Sequence, residues 1–342
     1  MLLEQLSNAA GVSGNEAPVR DAILAYVRDY VDVTQVDSLG NLICLKRAAG
    51  APECQRKVMI AAHMDEVGIM VVHIEGNGFL RFRPVGGIDP RVLLSKAVLI
   101  GEKIVPGVIG QKAIHLLKEH ERKQVVSVDQ MFIDIGAKDK ADAEQAVKVG
   151  DYGVFATRFA SLGPTMKGKA LDDRAGCAVL AELLRGGPYP CDVYGVFTVQ
   201  EEVGLRGAQV AAYAVKPDVA FVVEGTVCDD SPKKTDVSPT TRLGAGSAIS
   251  IADRSAIADR RLVQFLVDTA NRVGLPYQFK QPLIGGTDAG RIHLSREGVP
   301  TVALAVPCRY IHSPVSLMSQ ADFDNTVALM KAALSRVDEV VK

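Results

Sequence analysis

The sequence predicts an α/β protein with a mixed, largely parallel sheet, interrupted by a small β-rich, barrel-like domain. Short apolar runs at residues 58–62, 193–199, 219–223 and 301–306 alternate with helix-periodic stretches, as parallel strands buried on both faces do. From about Val67 to about Phe159 the texture changes to many short β-type runs separated by Gly and polar turns. Beyond Pro164 the strand–helix alternation resumes. The α/β unit is therefore expected to take residues 1–66 and 160–342, and the insert residues 67–159.

Ser13 and Glu16 have capping-box spacing ahead of a helix in which Val19, Ile23 and Val27 recur every four residues. Strand-like pieces follow at 33–36 and 42–46. Within the insert the runs are 69–74, 79–82, 97–100, 131–135 and 152–155, with a short acidic helical stretch near 141–146. Residues 174–184 are helix-periodic and close on Gly186-Gly187. Residues 255–273 form a helix stopped by Gly274 and Pro276, residues 322–341 a closing helix, and residues 228–242 a surface loop.

Composition removes several functions. The chain has 342 residues, is 48% hydrophobic and carries a formal net charge of -1. That is ordinary globular composition, with no basic excess for nucleic acid and no polybasic run for an anionic membrane. The longest apolar runs are strand-length, well short of the roughly 20 residues of a membrane span. Glu4 stands where a secretory leader is basic and then apolar, so none is expected. The six scattered cysteines fit reduced thiols of a cytoplasmic protein.

The chemistry is concentrated at strand ends. The run 58–62 leads into His63-Met64-Asp65, 193–199 into Gln200-Glu201-Glu202, 219–223 into Glu224, and 301–306, after a short loop, into His312. Asp172-Asp173 opens the helix at Arg174. In an open parallel sheet such ends converge on one crevice. Carboxylates gathered there are costly to bury unless a counter-charge sits among them. No Lys or Arg lies at the matching strand ends, so a metal pair is the natural counter-charge, and His with carboxylates suits zinc, cobalt or manganese.

The strings AAHMDEVG, GKALDDRAG, VQEEVGLRGA, PLIGGTDAGRIH and RYIHSP, with the Glu224 strand end, stand in the order seen in the tetrahedral aminopeptidases. The chain resembles this family, metallopeptidase family forty-two, which includes glutamyl and leucyl aminopeptidases. The resemblance implies a three-layer, zinc-peptidase-like α/β domain holding two divalent metal ions per subunit. By the same resemblance Asp172 bridges the metals, Glu202 and His312 complete one site, and His63 and Glu224 the other. Asp65 fixes the His63 ring, and Glu201 is the general base and acid that takes a proton from the activated water and hands it to the leaving amine. Many members carry Asp at the Glu224 position. The resemblance further implies short peptide substrates and self-association through the insert into a homododecamer with inward-facing sites.

Other histidines fit plainer roles: His73 as a structural strand residue, His115 and His120 as solvated side chains, His293 on a helix. Asp173 fits equally a helix N-terminal acid meeting the macrodipole or a site residue. Gly285-Gly286-Thr287-Asp288 fits an anion-cradling helix start or a plain capped helix. Cys177 and Cys308 fit small packing residues, and Arg309 and Tyr310 the pocket wall. The competing activities are a deacylase or other amidohydrolase on the same metal pair and, ranked lower, a glycoside hydrolase. The latter usually offers aromatic platforms, and aromatic residues are only 5% here.

Overall fold

The computed structural model describes residues 1–49, 56–232, 241–280, 283 and 285–341. Cys54 and residues 233–240 of the expected loop lie outside the described residues. Four strands form the parallel heart of an 11-stranded sheet, in the order Asp192–Thr198, Lys57–His63, Val219–Val227, Thr301–Arg309. Antiparallel strands extend it on both sides: Val33–Val36 and Leu42–Lys46 beyond the first, Ser316–Ser319, Thr165–Gly168 and Ala160–Leu162 beyond the last.

The period of two along each strand builds the three layers. Val58, Ile60 and Ala62 enter one core with the helix Leu171–Arg185, while Met59 and Ala61 enter another with the helix Arg206–Val215. Phe221 and Val223 against Ala220 and Val222 repeat the alternation. Both faces are covered, which is why these strands look uniformly apolar in sequence.

Between Gly68 and Phe155 the chain closes a six-stranded antiparallel barrel with its own core of Ile69, Val71, Phe82, Ile100, Ile109 and Ile133. One of its strands, Val105–Gly110, was not foreseen, because Pro106, Gly107 and Gly110 are residues that strands disfavour. Gly107 has a packing reason. A Cβ there would stand 2.7 Å from Ile133.

Other boundaries shift for local reasons. Ser13 does not cap the first long helix, Ala17–Val27. Its hydroxyl donates instead to Asp65, at 2.6 Å. The helix expected from 255 begins at Arg260, because Asp259 caps it by accepting from the N–H groups of Arg261 and Leu262. The closing helix is Gln320–Leu334, capped by Ser319, followed by a short 3-10 turn at Val337–Glu339.

A buried ionic knot ties the N-terminal segment to the sheet. Arg174 donates to the carbonyls of Leu6 (2.5 Å), Met64 (2.9 Å) and Gly11 (3.3 Å) and to Glu66 (3.1 Å). Lys169 Nζ reaches Glu66 at 2.7 Å and the Ala9 carbonyl at 2.6 Å. Burial pushes the Lys169 ammonium down to about 8, while Glu66 opposes this. The five described cysteines are buried and form no disulfide. Burial pushes the Cys44 and Cys228 thiols up to about 12.

Candidate metal centre

The parallel strand ends deliver their side chains to one rim, as the sheet topology requires. His63 closes its strand with a side chain only 2% exposed. Its Nε2 lies 3.3 Å from Asp172 Oδ1, 3.5 Å from Glu224 Oε2 and 3.9 Å from Glu201 Oε2. His312 Nε2 lies 3.4 Å from Glu202 Oε2 and 3.6 Å from Asp172 Oδ2. The two oxygens of Asp172 thus face two different imidazoles, each with its own glutamate. His63, Asp172, Glu201, Glu202, Glu224 and His312 all line a single cavity of about 450 Å3.

Backbone geometry makes this gathering possible. Ala170, Gln200 and His312 have left-handed φ of 56°, 57° and 56°, a region L-residues seldom adopt. Such outliers cluster where surrounding structure holds a functional geometry. The Asp172–Asp173 peptide is cis. Gly225 lets the Glu224 strand come close, since a Cβ there would stand 2.9 Å from Asp172 Cα.

Asp65 is a hub. Its carbonyl lies 3.1 Å from His63 Nδ1 and its Oδ1 3.4 Å. The same carboxylate accepts the backbone N–H groups of Glu201 (3.0 Å) and Glu202 (3.1 Å), so it sets the turn that carries both glutamates. The N-terminal segment locks this hub. Ser13 donates to Asp65 Oδ2, and Glu16 accepts the Gln200 N–H at 3.1 Å. A hydrogen bond to a buried charge contributes about 1.5–3 kcal/mol. Ser13→Ala is therefore expected to lower kcat about tenfold while metal content stays at the wild-type value. Steady-state kinetics alongside elemental analysis checks this, and unchanged kcat excludes the coupling.

Asp173 is neither a solvated helix acid nor an open ligand. It lies with His63 and Glu224 in a group whose ligand atoms fall within 4.8 Å of one another. Both its oxygens are nevertheless engaged, Oδ2 by the His63 N–H (3.2 Å) and Oδ1 by the Gly176 N–H (2.8 Å). It braces the His63 backbone, as Cys177 does by donating to the His63 carbonyl at 3.1 Å. Asp288 also departs from both readings of its loop. Its side chain makes no cap bond to the short helix Ala289–Ile292 and accepts from Thr198 at 2.5 Å. Its backbone N–H donates to Glu224 at 3.4 Å. Of the expected wall residues, Arg309 is tied to Asp230 at 2.6 Å, and Tyr310 lines a separate groove beside His312. His73, His115 and His120 are exposed, and His293 follows a short helix.

The donor set fits divalent cations on charge as well as geometry. Asp65, Asp172, Asp173, Glu201, Glu202, Glu224 and Asp288 lie around two imidazoles, while Lys169 and Arg174 are already engaged with Glu66. By themselves these residues offset the excess only by keeping protons. Burial pushes Glu202 up to about 8 and Asp288 up to about 7, and raises Glu201 well above the usual carboxyl range. Asp172 pushes His312 up to about 9. Burial opposes a charged His63, yet Glu201, Asp172, Asp65 and Glu224 outweigh it and raise that ring too. Asp288 Oδ1 is buried without a hydrogen-bond partner among the described residues. Cations supply what such a cluster lacks.

Comparison with known proteins finds aminopeptidases among the relatives, matched over nearly the whole chain. A putative aminopeptidase of Acetivibrio thermocellus is 40% identical over 334 residues, 97% of each chain. A solved aminopeptidase structure from a marine sediment Thaumarchaeota archaeon superposes with a TM-score of 0.93 at 39% identity, covering 98% of this chain and 95% of that one. The TET1 peptidase of Pyrococcus horikoshii, described as assembling into a tetrahedron or a large octahedral shell, matches with a TM-score of 0.87 at 35% identity, covering 98% and 100%. Residues 40–329 match the profile of a single family, and on this match and these relatives the chain belongs to the M42 glutamyl aminopeptidase family.

Proposed function

We propose that this protein is a dinuclear metallo-aminopeptidase that removes N-terminal residues from short peptides, with Glu201 as general base and acid. The observation that carries the reading is the division of Asp172 between His63 and His312, each paired with its own glutamate. His63, Glu224 and Asp172 Oδ1 suit one divalent ion, and His312, Glu202 and Asp172 Oδ2 the other, with zinc, cobalt or manganese matching the donors. When bound, such ions supply the positive charge that acidifies a water and polarises a carbonyl. The chain's own groups perform the proton transfers. Glu201, desolvated and raised in pKa, accepts a proton from the attacking water and returns it to the departing amine nitrogen. Asp65 holds the Glu201 turn and the His63 ring in register throughout.

Residues 1–66 and 160–342 serve in this reading as the catalytic domain, and residues 67–159 as an oligomerisation domain. Val108, Ile114, Leu116, Val125 and Val149 are exposed apolar residues within that segment, which supports burial against another copy. A solved relative described as a TET1 dodecamer supports a homododecamer. Among the described residues no helix is long and apolar enough to cross a membrane.

Aminoacyl p-nitroanilides and their N-acetylated counterparts, assayed with and without chelator, test the activity. Free-amine substrates alone should be cleaved. Chelator should abolish turnover, and cobalt or zinc should restore it with about two ions per chain. Chelator-resistant turnover, or cleavage of the acetylated compounds, excludes the mechanism. Light scattering that finds single chains of 36.5 kDa excludes the assembly.

A further inference from the structure

Ile311 and His312 line two cavities at once: the 450 Å3 cavity of the candidate centre and a second one of about 690 Å3. The second lies between the inserted segment, from Gly87 to Lys96, and the loop from Tyr310 to Val315. The two differ in kind. The first carries Asp172, Glu201, Glu202 and Glu224, and its walls at Thr226 and Thr287 are buried. The second carries none of these acids, and Gly87, Arg91, Lys96, Tyr310 and Val315 along it are exposed, so it is an open trough. Its loop wall is held in place. Tyr310 and His312 have left-handed φ of 62° and 56°, and Ser313 Oγ lies 2.6 Å and 2.8 Å from the carbonyl oxygens of Tyr310 and Val315. Tyr310, Pro314 and Val315 make that wall largely apolar. The inserted segment brings Asp89, Arg91 and Lys96. Arg91 is engaged with Asp89, its Nε donating at 2.8 Å and its backbone N–H at 2.9 Å. Lys96 makes no ion pair and no side-chain hydrogen bond among the described residues, so it is the trough's uncompensated cation.

We propose that this trough holds the departing part of the peptide and that Lys96 is its specificity-determining residue, pairing with the C-terminal carboxylate of a short substrate. The proposal rests on the aminopeptidase reading and adds where the rest of the peptide lies and which charge it must carry. Cleavage after one N-terminal residue leaves a single residue on the carbonyl side of the cut and all others on the amine side. A walled cavity beside Glu201 suits the single residue, and an open trough that starts at His312 suits a remainder of variable length. A free C-terminus brings the carboxylate that Lys96 lacks, and ionised partners make the stronger hydrogen bonds. A peptide amide offers no such charge. A chain too long to end within the trough gains nothing from it, which favours short peptides.

The test is a peptide series in which the N-terminal residue of the best p-nitroanilide substrate is followed by one to four alanines, each peptide made as the free acid and as the C-terminal amide. The metal-replete wild type, Lys96→Met and Lys96→Glu are assayed, and the acid-to-amide ratio of kcat/KM is taken within each enzyme. Lys96 is exposed, so both variants should fold, which circular dichroism and metal content verify. For at least one length the wild type should favour the acid by about 3- to 5-fold, through KM, and added salt should shrink that ratio. Lys96→Met should bring the ratio to about one, and Lys96→Glu should take it below one. A wild-type ratio near one at every length, or a Lys96→Met enzyme that keeps the preference for the acid, overturns the role of Lys96 and leaves the aminopeptidase reading standing. Failure of the metal-replete wild type on p-nitroanilides and peptides alike removes both.

Discussion

Glu201→Gln is expected to lower kcat by about 10³- to 10⁴-fold, or about 4–5.5 kcal/mol, at full metal occupancy. The substitution keeps shape and removes the proton acceptor. The turn should survive, because the bond that fixes it runs from the Glu201 backbone N–H to Asp65 and does not involve the changed side chain. Metal content should survive too. Among the acids facing His63 Nε2, Glu201 stands farthest, at 3.9 Å against 3.3 Å for Asp172 and 3.5 Å for Glu224. KM should change little, since the transferred proton matters in the transition state and not in ground-state binding. Elemental analysis beside steady-state kinetics decides it. A metal-replete variant with wild-type kcat removes Glu201 from the chemistry.

Asp172→Asn should do something different: strip the metals. Each Asp172 oxygen faces one imidazole, so a single amide weakens both halves of the centre at once. Burial works against a charged Asp172, but His312 and His63 outweigh it and hold this carboxyl below the usual range. It is the acid of the cluster most committed to staying ionised, and Asn cannot ionise. The expected outcome is metal content falling from about two ions to below one per chain, with activity reduced about 10⁴-fold or more. Circular dichroism should stay unchanged, because Asn is isosteric. Two retained ions with near-normal turnover would refute the shared role of Asp172.

His63 was legible because it closes a buried parallel strand right after an apolar run; Glu202 and His312 follow such strands by a few residues, and Glu224 stands inside Val219–Val227, which runs on past the acid. The barrel was legible as texture, though its Pro106–Gly107 strand was not. The supporting residues were hidden for a common reason: their partners are remote. Ser13 meets Asp65 across 52 positions and Lys169 meets Glu66 across 103, with no periodicity linking them. Ser13 and Glu16 even carried a misleading local signal, since capping-box spacing was satisfied while both side chains served the Glu201 turn instead. Asp173 sat where helices welcome an acid, yet its φ of -123° and ψ of 43° are not helical.

His312 is 40% exposed on its side chain, and its Nδ1 lies 3.0 Å from the carbonyl of Gly87, in the segment between Gly68 and Phe155 that closes the barrel. That carbonyl selects the tautomer with the proton on Nδ1 and a lone pair on Nε2. A peptide oxygen of the barrel segment therefore reaches the candidate centre. A truncated chain lacking it would retain His63, Asp172, Glu202 and Glu224, yet His312 would lose its Nδ1 partner. Grafting a different accessory module onto this scaffold succeeds only if the newcomer brings a carbonyl to the same spot.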